Sequence, residues 1–135
     1  MKLSILGSTG SIGTQGLEVV SDLKGIKDIE VTAISGMSNI KLLEEQARAF
    51  HPKIVATADE SRYKDLKTAL SDTDIKVLAG REGLFAVAEE ESADTLLSSV
   101  VGFAGLEPTF RALEAGKNIA LANKETLVAG GLLVT

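Results

Sequence analysis

Cysteine and tryptophan are absent from the 135 residues, and histidine and tyrosine occur once each. Without a thiol there is no disulfide framework, no thiolate nucleophile and no zinc-finger site. No stretch approaches the roughly 18 unbroken apolar residues that a membrane span needs, so no membrane partner is expected. Positive charge is also scarce: 14 Lys and Arg stand against 19 Asp and Glu, a formal net charge of -5. Binding a nucleic-acid backbone over a broad face needs clustered cations, so no nucleic-acid partner is expected; a local phosphate site stays open. An apolar run starts directly after Met1-Lys2, which leaves no room for a signal or transit peptide and makes a cytoplasmic location the expectation.

The residues present are those of an ordinary globular domain, with 44% hydrophobic and 24% charged. A chain of this length forms one domain that buries about two-thirds of its unfolded surface. Short apolar segments at 3–6, 29–34, 53–57, 75–78, 95–101 and 118–121 read as buried strands. Between them the apolar residues fall at helical spacing, as in Ile40, Leu43, Ala47 and Phe50, or Leu66, Ala69 and Leu70. Strands alternating with helices predict an α/β fold of Rossmann-like, doubly wound type, with a mainly parallel sheet and helices on both faces. The acidic run Glu89-Glu90-Glu91 reads as a solvated helix surface. His51, before Pro52, reads as a helix-terminal residue rather than a catalyst. The apolar ending at 130–135 suggests that the chain is the front part of a longer polypeptide.

Four glycines crowd into LGSTGSIGTQG, residues 6–16, where the first strand hands over to a helix. Glycine permits left-handed backbone angles and lets a ligand approach without a Cβ in the way, while the amides and dipole of a helix start favour an anion. Such a turn after the first strand of a βαβ unit suits a pyrophosphate, with Gly13 allowing helix and strand to pack closely. The spacing, G-x-x-G-x-x-G, differs from the G-x-G-x-x-G of many NAD enzymes, and a ligand-free βα turn is the bland alternative. NAD enzymes commonly end the second strand with a carboxylate that holds the ribose. Here that region reads Ser35-Gly36-Met37-Ser38-Asn39. It has no carboxylate to repel a 2′-phosphate, and Ser38, Asn39 and Lys41 are available as donors, which favours NADP over NAD even though the arginine frequent at NADP sites is missing.

A second constellation, NIALANKETLVAGG at 118–131, places Asn123, Lys124 and Glu125 just past the last strand. Ligands in open α/β sheets sit outside the carboxyl ends of the strands, so this cluster is expected to face the same crevice as the glycine turn. The bland alternative makes Asn123 a helix cap with Lys124 and Glu125 on an exposed first turn, although lysine there opposes the helix dipole unless an anion is near. The loop 101–108 should lie beside the cluster, with Pro108 in the first turn of the helix that follows.

Taken together, ILGSTGSIGTQ, Ser38-Asn39, VVGFAGLEPT at 100–109 and ALANKETLVAGG at 120–131 resemble the 1-deoxy-D-xylulose 5-phosphate reductoisomerase family over the whole chain. The resemblance implies NADPH as cofactor, a divalent metal (Mg or Mn) in the full-length enzyme, and a phosphorylated sugar as substrate. The reaction it implies is a skeletal rearrangement followed by hydride transfer to an aldehyde, yielding methylerythritol phosphate for isoprenoid biosynthesis. Thr9, Gly10, Ser11 and Ile12 then match the pyrophosphate and ribose contacts, and Gly36, Ser38 and Asn39 the wall of the 2′-phosphate pocket. Asn123 and Glu125 match further NADPH contacts, and Lys124 a substrate contact. The family's acidic metal ligands, in an Asp-Ser-Glu-His motif and beyond, have no counterpart here. Residues 1–135 are therefore expected to be an NADPH-binding domain without metal ligands or catalytic residues of its own, inactive alone, from an enzyme that is a homodimer at full length. Two alternatives stand beside this reading: another NADP-dependent oxidoreductase of semialdehyde dehydrogenase type, whose glycine turn is similar, and a non-catalytic NADPH-sensing domain.

Overall fold

Residues 3–6 alternate between two apolar layers, and that alternation organises the molecule. The computed structural model describes residues 1–22, 29–98 and 103–121, the side chains of residues 11, 12, 19, 103–106 and 121 excepted. In chain order the elements are β1 (Lys2–Leu6), α1 (Ser11–Asp22), β2 (Glu30–Gly36), α2 (Ile40–Phe50), β3 (Ile54–Thr57), a 3₁₀ turn (Glu60–Arg62), α3 (Tyr63–Ala69), β4 (Lys76–Ala79), α4 (Gly80–Ala88), β5 (Thr95–Ser98), α5 (Phe103–Glu114) and β6 (Asn118–Leu121). The strands form one sheet in the order β4-β3-β2-β1-β5-β6, and every neighbouring pair is parallel. The chain starts in the middle, winds outward to β4, then returns past β1 to build β5 and β6. The expected doubly wound fold is the observed one.

Strands covered on both faces read as nearly continuous apolar runs. On one face Leu3, Ile5, Val31, Ile34, Val55 and Leu97 pack with Leu17 and Val20 of α1, Leu43 and Ala47 of α2 and Leu66 of α3. On the other, Leu6, Ala33, Ala56 and Leu96 pack with Val87 and Ala88 of α4 and Ala112 of α5. Val31 and Ile34 share a face although three residues apart, because the pairing with β1 slips from Leu3 opposite Val31 to Ser4 opposite Ala33. Thr32 is the extra residue of this bulge, which resets the alternation.

Two expectations need correction. The run Glu89-Glu90-Glu91 is not a solvated helix face: α4 ends at Ala88, and Glu90 is buried. Its carboxylate accepts from the Ser92 hydroxyl at 2.6 Å and the Ser92 amide at 3.2 Å. A buried charge is tolerated where such donors replace water. Pro108 lies well inside α5 rather than in its first turn, because the helix already begins at Phe103. Of the strand expected over 95–101, residues 95–98 form β5, and 99–101 lie outside the described residues. His51 is the C-cap of α2, at φ 51°, and its amide donates to the Ala47 carbonyl, as expected. Among the described residues no helix is long and apolar enough to cross a membrane.

Candidate functional site

The carboxyl ends of β1 and β2 carry most of the residues singled out in the sequence. Gly7 leaves β1 at φ 81°, a conformation that suits glycine. The Gly10 amide donates to the Gly7 carbonyl at 3.2 Å, and the Gly10 carbonyl accepts from Thr14 N at 2.8 Å, which makes Gly10 the cap of α1. Gly13, the last glycine of the triplet, is wedged under the turn: a Cβ on it would stand 2.1 Å from the Gly7 oxygen and 2.7 Å from the Ser8 Cα. Gly10 is the opposite case. It is exposed, and a Cβ added to it would meet nothing closer than the Gly7 oxygen at 3.6 Å. One glycine lets the helix close on the strand, and the other leaves bare backbone over the first turn of α1. The amides of that turn have no intrahelical acceptor in any α-helix and are suited to an anion.

A buried polar lock holds the turn in place. Ser8 N donates to the Ser35 carbonyl at 2.7 Å, and Gly7 N donates to Ser35 Oγ at 3.1 Å. Gln46, buried on α2, donates through Nε2 to the Ser8 carbonyl at 2.8 Å. Its Oε1 accepts from Ser8 Oγ at 2.7 Å. The turn is thereby tied to β2 and α2 at once. The sequence alone does not single out Ser8, Ser35 or Gln46. Gln46 looks like one more polar residue of an amphipathic helix, and its position among Ile40, Leu43 and Ala47 on the buried face is the signal that could have found it. Gln46→Ala removes both of its hydrogen bonds to Ser8, leaving the Ser8 carbonyl with the Thr14 hydroxyl at 3.3 Å and the Ser8 hydroxyl with the Ser35 carbonyl at 3.2 Å. The expected destabilisation is about 2 kcal/mol, read as a lower urea midpoint; a loss under about 0.5 kcal/mol would show that the lock contributes little.

β2 runs to Gly36, two residues past the expected end, and this brings Gly36 against the glycine turn. A Cβ on Gly36 would lie 2.9 Å from Thr9 Oγ1. The chain beyond is pinned by β3, since Ala58 N donates to the Gly36 carbonyl at 2.8 Å and Thr57 Oγ1 donates to the Met37 carbonyl. Ser38 and Asn39 are exposed. Asn39 caps α2, its Oδ1 accepting from Leu42 N at 3.1 Å. The cap uses the amide oxygen, so the nitrogen is the atom suited to an incoming anion. Thr9, Gly10, Gly36, Ser38 and Asn39 thus meet at one edge of the sheet. Ser11 and Ile12 open α1 there. Asn123, Lys124 and Glu125 lie outside the described residues; β6, which precedes them, runs parallel to β5 and delivers the chain to this same edge.

Beside Met37 opens a cavity of about 430 Å³ lined by Met37, Ala58, Arg81, Leu84, Phe85, Glu107 and Pro108. Arg81, in the first turn of α4, is paired with Glu107 of α5 and stands 5.2 Å over the Phe85 ring. Arg111 covers the same ring at 4.3 Å and is held by Glu89 at 2.7 Å. The residues present fit a dinucleotide. Exposed glycine backbone lies over a helix start, the adjacent strand ends without a carboxylate, and an apolar cavity adjoins it.

Comparison with known proteins agrees with this geometry. The family model described as 1-deoxy-D-xylulose 5-phosphate reductoisomerase matches residues 3–131. A reductoisomerase of Lachnoclostridium phytofermentans is 53% identical over 132 residues, which is 98% of this chain and 33% of the relative. A chloroplastic reductoisomerase of Oryza sativa subsp. japonica is 48% identical over 134 residues, 98% of this chain and 28% of the relative. The solved reductoisomerase of Zymomonas mobilis in complex with NADPH superposes with a TM-score of 0.82 at 38% identity, over 97% of this chain and 34% of that one. A DOX-P reductoisomerase in complex with NADPH, fosmidomycin and magnesium gives 0.85 at 38% identity, over 97% and 32%. This chain spans about a third of the length of the curated relatives it matches. The match runs from Leu3 to Gly131, and the chain belongs to the 1-deoxy-D-xylulose 5-phosphate reductoisomerase family.

Proposed function

We propose that residues 1–135 are the NADPH-binding domain of a 1-deoxy-D-xylulose 5-phosphate reductoisomerase. The observation that carries the reading is the exposed Gly10 backbone at the start of α1, packed beside a second strand that ends in Gly36-Met37-Ser38-Asn39 without a carboxylate. In this reading the bare Gly10 backbone lets the pyrophosphate reach the first-turn amides at Ser11 and Ile12. Thr9 and Gly36 shape the floor beside it. Ser38 and Asn39 donate to the 2′-phosphate. Asn123 and Glu125 hold the cofactor further along the crevice, and Lys124 meets the anionic substrate.

The bound cofactor supplies the hydride that reduces the rearranged aldehyde. The residues of this chain orient it: the polar lock through Ser8, Ser35 and Gln46 fixes the turn before the cofactor arrives, so little ordering is left to be done on binding. The substrate is a phosphorylated deoxyxylulose, the product methylerythritol phosphate, and the divalent metal is held by acidic residues outside this third of the enzyme. Turnover therefore requires the remainder of a full-length protein, working as a homodimer.

Calorimetric titration of the chain with NADPH and with NADH at modest salt tests the reading. NADPH is expected to bind at least tenfold more tightly, about 1.4 kcal/mol. Equal affinity would remove the 2′-phosphate pocket, and failure of both nucleotides to bind would overturn the assignment.

A further inference from the structure

The sequence offers no arginine at the end of β2, where NADP sites frequently carry one. The fold supplies one from elsewhere. Met37 sits between Gly36 and Ser38, and the cavity it lines has Arg81 as its cation among the described residues. Arg81 reaches this place because α4 starts directly after β4, at the same carboxyl edge of the sheet as the end of β2.

The present partner of Arg81 is one it can leave. Its pair with Glu107 is open to water, the two side chains being 67% and 54% exposed, and exposed ion pairs contribute little. A phosphate dianion accepts the guanidinium fork through two parallel hydrogen bonds, a stronger partner than an exposed single carboxylate. The ring of Phe85 beneath the guanidinium keeps it over the cavity in either state. Arg111 is less suited, since Glu89 holds it and it does not line the cavity.

We propose that Arg81 is the cation that reads the 2′-phosphate of NADPH, passing from Glu107 to the phosphate as the adenosine end of the cofactor enters the cavity between Met37 and Phe85. Arg81 is then the residue that sets the preference for NADPH over NADH, and it does so from α4 rather than from the strand where such residues are usually sought. This inference rests on the NADPH reading above, deepening it at one end of the same site.

The test is calorimetric titration of the wild-type chain, Arg81→Ala and Arg81→Lys with NADPH and NADH, with thermal melts showing that the variants fold. Arg81→Ala is expected to weaken NADPH about tenfold or more, about 1.4 kcal/mol, while NADH changes by less than twofold. Arg81→Lys, which keeps the charge but not the fork, is expected to fall between. If the wild type prefers NADPH and Arg81→Ala retains that preference, this inference fails while the NADPH reading stands. Equal weakening of both nucleotides also overturns it, since Arg81 would then support the adenosine or the fold. If the wild type binds neither nucleotide, the NADPH reading itself has failed and takes the inference with it.

Discussion

Gly13→Ala is expected to lower the stability of the chain by about 3 kcal/mol, the upper end of the range for forcing atoms into a packed site. The added Cβ would stand 2.1 Å from the Gly7 oxygen, 2.7 Å from the Ser8 Cα and 2.9 Å from the Gly7 carbonyl carbon. All three are backbone atoms, and none can swing aside as a flexible side chain would. The turn they belong to is itself fixed by Ser35 and Gln46, so relief requires α1 to move off the sheet. An opposing effect exists, because alanine is favoured over glycine inside a helix by about 1 kcal/mol. The clash outweighs it. Against a typical domain stability of about 5–15 kcal/mol, the loss is large and visible as a lower urea midpoint at unchanged slope. A loss below about 1 kcal/mol would mean that helix and turn separate easily.

Much of the fold is legible in the sequence because parallel strands buried on both faces leave an unmistakable record. The runs around Val55 and Leu96 are apolar without interruption and that around Leu3 is broken by Ser4 alone, and the helices between them show their own period. Local accommodation is what the sequence hides. The bulge at Thr32, which places Val31 and Ile34 on one face, depends on pairing with β1 and leaves no mark on β2 alone. Glu90 misleads for a related reason: three glutamates in a row look solvated until Ser92 turns back to hydrogen-bond the middle one. Pro108 suggests a helix start by rule, whereas α5 begins five residues earlier.

The site divides in the same way. Residues that act through backbone geometry, Gly10 and Gly13 above all, are legible because glycine at a strand-to-helix junction has few other reasons to be there. Ser38 and Asn39 are legible through the carboxylate that is missing beside them. Residues brought in by topology are not. Gln46 sits 38 residues from Ser8 yet bonds to it twice, and Arg81 is separated from Met37 by α2, β3, the 3₁₀ turn, α3 and β4. The family match over 3–131 also decides between readings that the glycine turn leaves open, since it takes in the stretches 100–109 and 120–131 as well as the turn.

Gly10→Val separates the structural role of the turn from its binding role. The expected result is a folded chain whose affinity for NADPH and NADH falls about a hundredfold or more, about 2.7 kcal/mol. Folding survives because Gly10 is exposed and the nearest atom to a new Cβ, the Gly7 oxygen, is at an ordinary 3.6 Å. The cost to stability is that of a poor helix cap, about 1 kcal/mol, well below that of Gly13→Ala. Binding suffers because the branched side chain stands over the amides that a pyrophosphate must reach, and both nucleotides carry the pyrophosphate. The loss should therefore be common to NADPH and NADH, in contrast to that of Arg81→Ala, which should fall on NADPH alone. Titration of both nucleotides into a variant whose thermal melt remains cooperative checks the point. Unchanged affinity would mean that the glycine turn is a packing device and that the dinucleotide, if it binds, is held elsewhere along the sheet edge.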